Sequence, residues 1–160
     1  MRHAVSFFLA LCISLWLGGL VALVMFVSSL FAFDRALAIN AAPWLFHVFE
    51  RYQIGLAAAT TVLIVTWLAL RGSRLKAAAL VLTLIADALA VLQIAWITPT
   101  INASRVADHA RFDRFHHLAS TNYFTITLLI LATGVLFLLA LRREARFIAA
   151  PDTAPTTAAA

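Results

Sequence analysis

The sequence predicts an all-α fold: a polytopic membrane protein, built as a four-transmembrane-helix bundle with a short interfacial helix in its first outer loop. Three observations carry this reading. The chain has 160 residues, of which 64% are hydrophobic and only 12% charged, and its mean hydropathy is +0.97. A soluble domain of that size needs far more polar surface. The apolar residues fall into four runs, and a helix of about 20 residues spans the roughly 30 Å of bilayer hydrocarbon. The formal charge of +5 sits in short clusters between those runs, as in membrane loops, rather than in the patch or stripe of a nucleic-acid binder. The expected partner is therefore the lipid bilayer, not nucleic acid. Cys12 is alone, which excludes an intrachain disulfide and a cysteine-paired zinc site.

The first span is placed at about residues 5–32, inside the charge-free run from Ala4 to Phe33. Arg2 and His3 resemble the basic start of a signal peptide, but the apolar core is too long and no clean Ala-x-Ala site follows, so a retained helix is expected. The second span, about 53–70, opens near Gln53 and is closed by the basic turn Arg71-Gly72-Ser73-Arg74-Leu75-Lys76. The third, about 77–97, is interrupted by Asp87 and Gln93, and Pro99 is expected to end it. A central Asp costs about 2.5–3.5 kcal/mol on insertion, while the ten Leu, Ile and Val residues of the span return roughly 3–6 kcal/mol, so it inserts with little margin. The fourth span, about 118–141, is closed by Arg142-Arg143-Glu144-Ala145-Arg146. Residues 1–148 thus read as one membrane domain, and the Ala/Thr/Pro-rich residues 149–160 as a disordered tail.

Two connections are longer. Asp34 to Tyr52 contains Pro43-Trp44, Phe46, Phe49 and Tyr52, a spacing that suits a helix lying in the interface. Thr100 to His117 reads as a polar cap leading into the fourth helix. With four spans, Arg2, Arg71, Arg74, Lys76, Arg142, Arg143 and Arg146 share one side, against Arg35, Arg51, Arg105, Arg111 and Arg114 on the other. The tighter clustering at the former places both termini in the cytoplasm. The Ala/Arg-rich composition suggests a bacterial cell inner membrane.

Few polar residues could carry a function. Asp87 lies near mid-span, where an ionisable group is expensive and often functional. No Lys, Arg or His shares its depth, so a neutral, hydrogen-bonded acid is expected, with Thr83, Thr60, Thr61 or Thr127 as partner. It is either a proton or cation site or a polar clasp between helices. Ser14, Gly18 and Ala22 recur every fourth residue beside Gly19, the small-residue spacing that lets two helices approach. His109, Asp113, His116 and His117 fall on one face if the fourth helix begins early, and imidazole with carboxylate suits a metal ion such as zinc or copper(II). A haem ligand pair is less favoured, because no second histidine lies deep in another span. No nucleophile elbow, phosphate loop or zinc-protease signature is present, so no catalysis is expected.

Three short motifs resemble those of the transmembrane protein 205-like family, a membrane domain of unknown function. They are Leu15-Trp16-Leu17-Gly18-Gly19, then Pro99-Thr100-Ile101-Asn102 with Arg105, then Phe112 with Phe115-His116-His117-Leu118-Ala119-Ser120 and Asn122. The resemblance covers roughly Leu15 to Leu141. It puts His117 on the family's histidine position and Ser120 and Asn122 on its polar ones, with His116 departing from the family's leucine. It implies a four-helix membrane protein without a settled activity. The first expectation is therefore a non-enzymatic membrane protein that binds a small ligand or metal ion at its outer face, at His116, His117, Asp113, Ser120 and Asn122, or that serves as an accessory subunit beside other membrane subunits or a second copy of itself. The alternatives are a proton or cation transporter or channel using Asp87, and a haem- or quinone-linked redox protein.

Overall fold

The computed structural model describes residues 2–105 and 108–149. The remainder of the alanine-rich tail lies outside the described residues. Helix α1 runs Arg2–Phe33, α2 Arg35–Leu70 and α3 Arg74–Leu92. A π-helical turn, Gln93–Ile97, joins α3 to α4, Thr98–Ser104. Helix α5 runs His109–Ala149. Four helical stretches, with α3 and α4 counted as one continuous rod, are long and apolar enough to cross a membrane. No more than 33% of the most apolar segment of any of them is buried inside the chain. The rest is apolar surface, which a lipid bilayer covers and water does not.

The starts of α2, α3 and α5 have a local cause. Asp34 caps α2 by accepting from the Ala36 and Leu37 amides at 2.8 and 3.0 Å. Ser73 caps α3 through the Lys76 amide, and Asp108 precedes α5 and accepts from the Arg111 amide at 2.9 Å. These side chains satisfy backbone donors that a helix N-terminus leaves unpaired.

The separate interfacial helix expected between Asp34 and Tyr52 is not found. That segment is the first half of α2, continuous with the apolar half despite Pro43. Proline removes one backbone donor and frees the carbonyl four residues earlier, which here belongs to Ile39. The Arg105 guanidinium donates to that carbonyl at 2.6 Å, so a side chain from the α4–α5 connection replaces the lost bond. Pro99 likewise does not end its helix. The wide turn just before it carries an amide bond from Thr98 to the Gln93 carbonyl. A π turn shifts the pairing by one residue and absorbs a proline the regular ladder cannot accept.

Neighbours run α1–α2–α3–α5 and close back on α1, an antiparallel bundle in which Arg71–Lys76 marks one end and α4 the other. Leu9, Ile13, Trp16 and Leu20 line the buried face of α1, and Ile126, Ile130 and Phe137 that of α5. Trp67 packs on Phe137 with ring centroids 5.1 Å apart. The expected packing stripe is displaced by one residue. Ser14, Gly18 and Ala22 are exposed, and a Cβ on Gly18 would have no neighbour within 4 Å, whereas one on Gly19 would lie 3.0 Å from the Phe49 ring and 3.3 Å from the Tyr52 ring. The residues that face α2 are those in step with Trp16 and Leu20. Gly19→Leu is accordingly expected to lower unfolding stability in detergent by about 1–3 kcal/mol through overpacking, while Gly18→Leu leaves it unchanged. Equal melting of the two variants would remove Gly19 from the contact.

Candidate functional site

The heptad-like spacing of Glu50, Gln53, Leu56, Ala57, Thr60, Ile64 and Trp67 puts all of them on the buried face of α2. The upper part of this stripe is polar. Glu50 is 2% exposed, about 30 Å along the helix from Leu70 by the 1.5 Å rise. It therefore lies near the opposite end of the bundle from Leu70, enclosed by protein. Exposed Tyr52 and Trp96 flank this level, as aromatic residues do at a membrane–water boundary.

Glu50 ends a directional chain of hydrogen bonds drawn from three helical rods. Asn122 Nδ2 of α5 donates to the Leu89 carbonyl at 3.1 Å and to Gln93 Oε1 at 3.0 Å. Gln93 Nε2 donates to Thr98 Oγ1 at 3.1 Å. Thr98 Oγ1 donates in turn to Glu50 Oε1, and so does the Tyr123 hydroxyl at 3.4 Å. Phe46 and Phe49 cover Tyr123, with centroids 5.6 and 6.4 Å away. The π turn has a role here, because it aims Gln93 and Thr98, five residues apart, at each other. Among the described residues Glu50 has no ion pair.

Gln53, one turn along from Glu50, is fully buried, and neither its Oε1 nor its Nε2 has a partner among the described residues. Asp87 lies deeper. Its Oδ2 accepts from Thr61 Oγ1 at 2.6 Å, and its Oδ1 is buried and unpartnered. Of the four expected partners Thr61 is the one found. Thr83 instead donates back to the Ala79 carbonyl of its own helix, Thr127 to that of Tyr123, and Thr60 Oγ1 is unpartnered. At the opposite end, Lys76 is 1% exposed, pairs with Glu144 at 2.8 Å, donates to the Trp67 carbonyl at 3.1 Å and sits 4.3 Å over the Trp67 ring.

The outer cluster does not assemble. Helix α5 begins at His109, so the helical spacing is met, yet His109, Asp113, His116 and His117 are all exposed. No group of three or more His, Cys, Asp or Glu side chains gathers into a metal-binding set among the described residues. His116 stacks on Phe112 with centroids 5.8 Å apart. Ser120, expected beside His117, donates to the His116 carbonyl, and His117 has no side-chain partner among the described residues. Asn122 alone of that group enters the interior network. A helix face that looks continuous in sequence here points away from the other three rods.

Sequence reasoning therefore missed Glu50, Gln93, Thr98 and Tyr123 as a site. The readable signal was Glu50 and Gln53 continuing the core stripe of α2 one turn beyond the apolar run; Pro43 and Arg51 nearby made the segment look like a loop. No protein-family model, curated protein or solved structure matches the chain.

Proposed function

We propose that this chain is a multi-pass membrane protein that takes up a proton or small monovalent cation at a buried carboxyl centre, with Glu50 as the group that holds it. One observation carries the reading: a carboxyl group 2% exposed, met by hydroxyl donors from Thr98 and Tyr123 and, among the described residues, by no positive side chain. An ionised carboxylate in such surroundings is costly unless a positive charge accompanies it. The described residues supply none at Glu50, so the countercharge comes from outside as a proton or a cation. A clasp that only joined helices would not need an ionisable group; an amide would accept the same bonds.

The other expectations have less support. The outer-face metal reading rested on residues that are exposed and ungathered. The haem reading rested on a pair of histidine ligands in the interior, and all five histidines are exposed. The likeness to the transmembrane protein 205-like family rests on its three motifs, and the buried Trp16 and Asn122 are consistent with structural duties for two of them. Placement in a bacterial inner membrane with cytoplasmic termini is part of the same proposal, and it would put Glu50 near the outer boundary.

The test uses the full chain in lipid vesicles, with proton and sodium or potassium uptake followed by entrapped dyes. Glu50→Gln retains an acceptor for Thr98 and Tyr123 but cannot ionise. The expected result is at least a ten-fold loss of uptake with unchanged melting. Wild-type uptake in Glu50→Gln would make Glu50 a structural clasp.

A further inference from the structure

Among the described residues, the buried side-chain atoms without a partner are Trp16 Nε1, both polar atoms of Gln53, Thr60 Oγ1, Asp87 Oδ1 and Thr133 Oγ1. Their positions follow an order. Gly19 meets Phe49, and Trp16 lies three residues from Gly19 while Gln53 lies four from Phe49. On antiparallel helices this brings Trp16 and Gln53 to one level, just below Glu50. Thr60 adjoins Thr61, the partner of Asp87. Thr133 lies eleven residues beyond Asn122, and Thr83 ten before Gln93; since Asn122 bonds Gln93, both are displaced about 15 Å from that bond and reach the same depth. Trp16, Gln53 and Thr60 thus occupy the interval between the two carboxyl groups, on the core faces of α1 and α2, while Thr133 lies about one turn beyond Asp87.

An unpaired buried amide or hydroxyl is costly, and nearly all such groups in folded proteins have a partner, often ordered water. The chemistry of these groups selects what can partner them. Trp16 offers an N–H, Gln53 both N–H donors and an acceptor, and Thr60 and Thr133 offer hydroxyls. Hard cations are held by shells of oxygen acceptors. Inward-facing N–H donors repel a bare cation and suit water, which both accepts and donates.

We infer that the ion taken up at Glu50 is the proton, and that it moves between Glu50 and Asp87 along water held by Gln53, Trp16 and Thr60. The inference rests on the reading of Glu50 given above and specifies its substrate. From Glu50 to Thr61 is about 16 Å along α2, or roughly six links of about 2.8 Å, of which Gln53 and Thr60 anchor two. One O–H bond breaks at the Glu50 carboxyl, the proton passes as hydronium from water to water, and one O–H bond forms on the Asp87 carboxylate. Nothing is oxidised or reduced. Around Glu50 the titratable group in contact is Tyr123 from α5; α1 contributes Trp16 and α3–α4 contribute Gln93 and Thr98, none of which titrates there. Lys76 and Glu144 lie beyond Asp87, at the other end of the bundle.

The test compares Gln53→Leu and Thr60→Val with wild type and Glu50→Gln, in vesicles where proton and sodium uptake are measured separately and melting is recorded for each variant. Both substitutions remove an unpartnered polar group and keep most of the volume, so the fold is expected to survive. The expected result is sodium-independent proton uptake in wild type, reduced at least ten-fold by Gln53→Leu and several-fold by Thr60→Val. Uptake lost in Glu50→Gln but retained in Gln53→Leu and Thr60→Val overturns the water path and leaves the Glu50 centre standing. Sodium or potassium uptake without proton uptake overturns the proton assignment. Uptake absent from wild type, or unchanged in Glu50→Gln, overturns both.

Discussion

Replacing Glu144 with alanine is expected to destabilise the bundle by about 3–5 kcal/mol, the cost of leaving one member of a buried ion pair uncompensated. The two partners are not equivalent. Lys76 is 1% exposed and the Glu144 side chain 18%, so the carboxylate can rehydrate when its partner is removed but the ammonium cannot. Without Glu144, the Lys76 ammonium keeps the Trp67 carbonyl and the face of the Trp67 indole, neither of which carries a full negative charge. Lys76→Met is expected to cost much less, because an apolar side chain of similar length fills the same buried space against the Trp67 ring. Combining Lys76→Met with Glu144→Ala should then recover most of the loss, a non-additivity that a double-mutant cycle of denaturant or thermal unfolding in detergent measures directly. A loss under about 1 kcal/mol for Glu144→Ala would show that the pair behaves as a solvated surface contact. The pair joins the start of α3 to the end of α5 and, through Trp67, to α2. It is thus a single lock on three of the four helical rods.

Glu50→Leu is the second large effect. Here the carboxyl group is lost together with its bonds, leaving the Thr98 and Tyr123 hydroxyls without the acceptor they share. At about 1–3 kcal/mol for each orphaned buried donor, the expected cost is roughly 2–6 kcal/mol. Glu50→Gln retains an acceptor oxygen and is expected to melt close to wild type. The contrast separates two properties of one residue: hydrogen-bond acceptance, which holds α2 to α4 and α5, and ionisation, on which uptake depends. Should Glu50→Leu melt like wild type, the network would be a consequence of the packing and not one of its causes.

How far the sequence could be read depended on the range of the interaction. Apolar length and charge clustering are local properties, and they were enough for four helices able to cross a membrane. The prolines were misread because a break in the backbone ladder is repaired non-locally: the Ile39 carbonyl freed by Pro43 is reached by Arg105, 66 residues away. Of the small residues Ser14, Gly18, Gly19 and Ala22, the close approach falls on Gly19 and not on the every-fourth-residue row, because a spacing of four residues fixes a face but not which neighbour it meets. The histidines of α5 share a face, yet that face is turned away from the other helices.

The sequence by itself determined that this chain is helical and apolar enough to cross a membrane four times, since burying about 20 uninterrupted apolar residues in lipid leaves the α-helix as the conformation that pairs its own backbone. Only the tertiary structure decided which polar groups share an interior. Glu50, Gln93, Thr98, Asn122 and Tyr123 are separated by up to 73 positions between Glu50 and Tyr123, and no short-range pattern links them. Their meeting depends on how antiparallel helices align in register and on how a π turn rotates one side chain toward another.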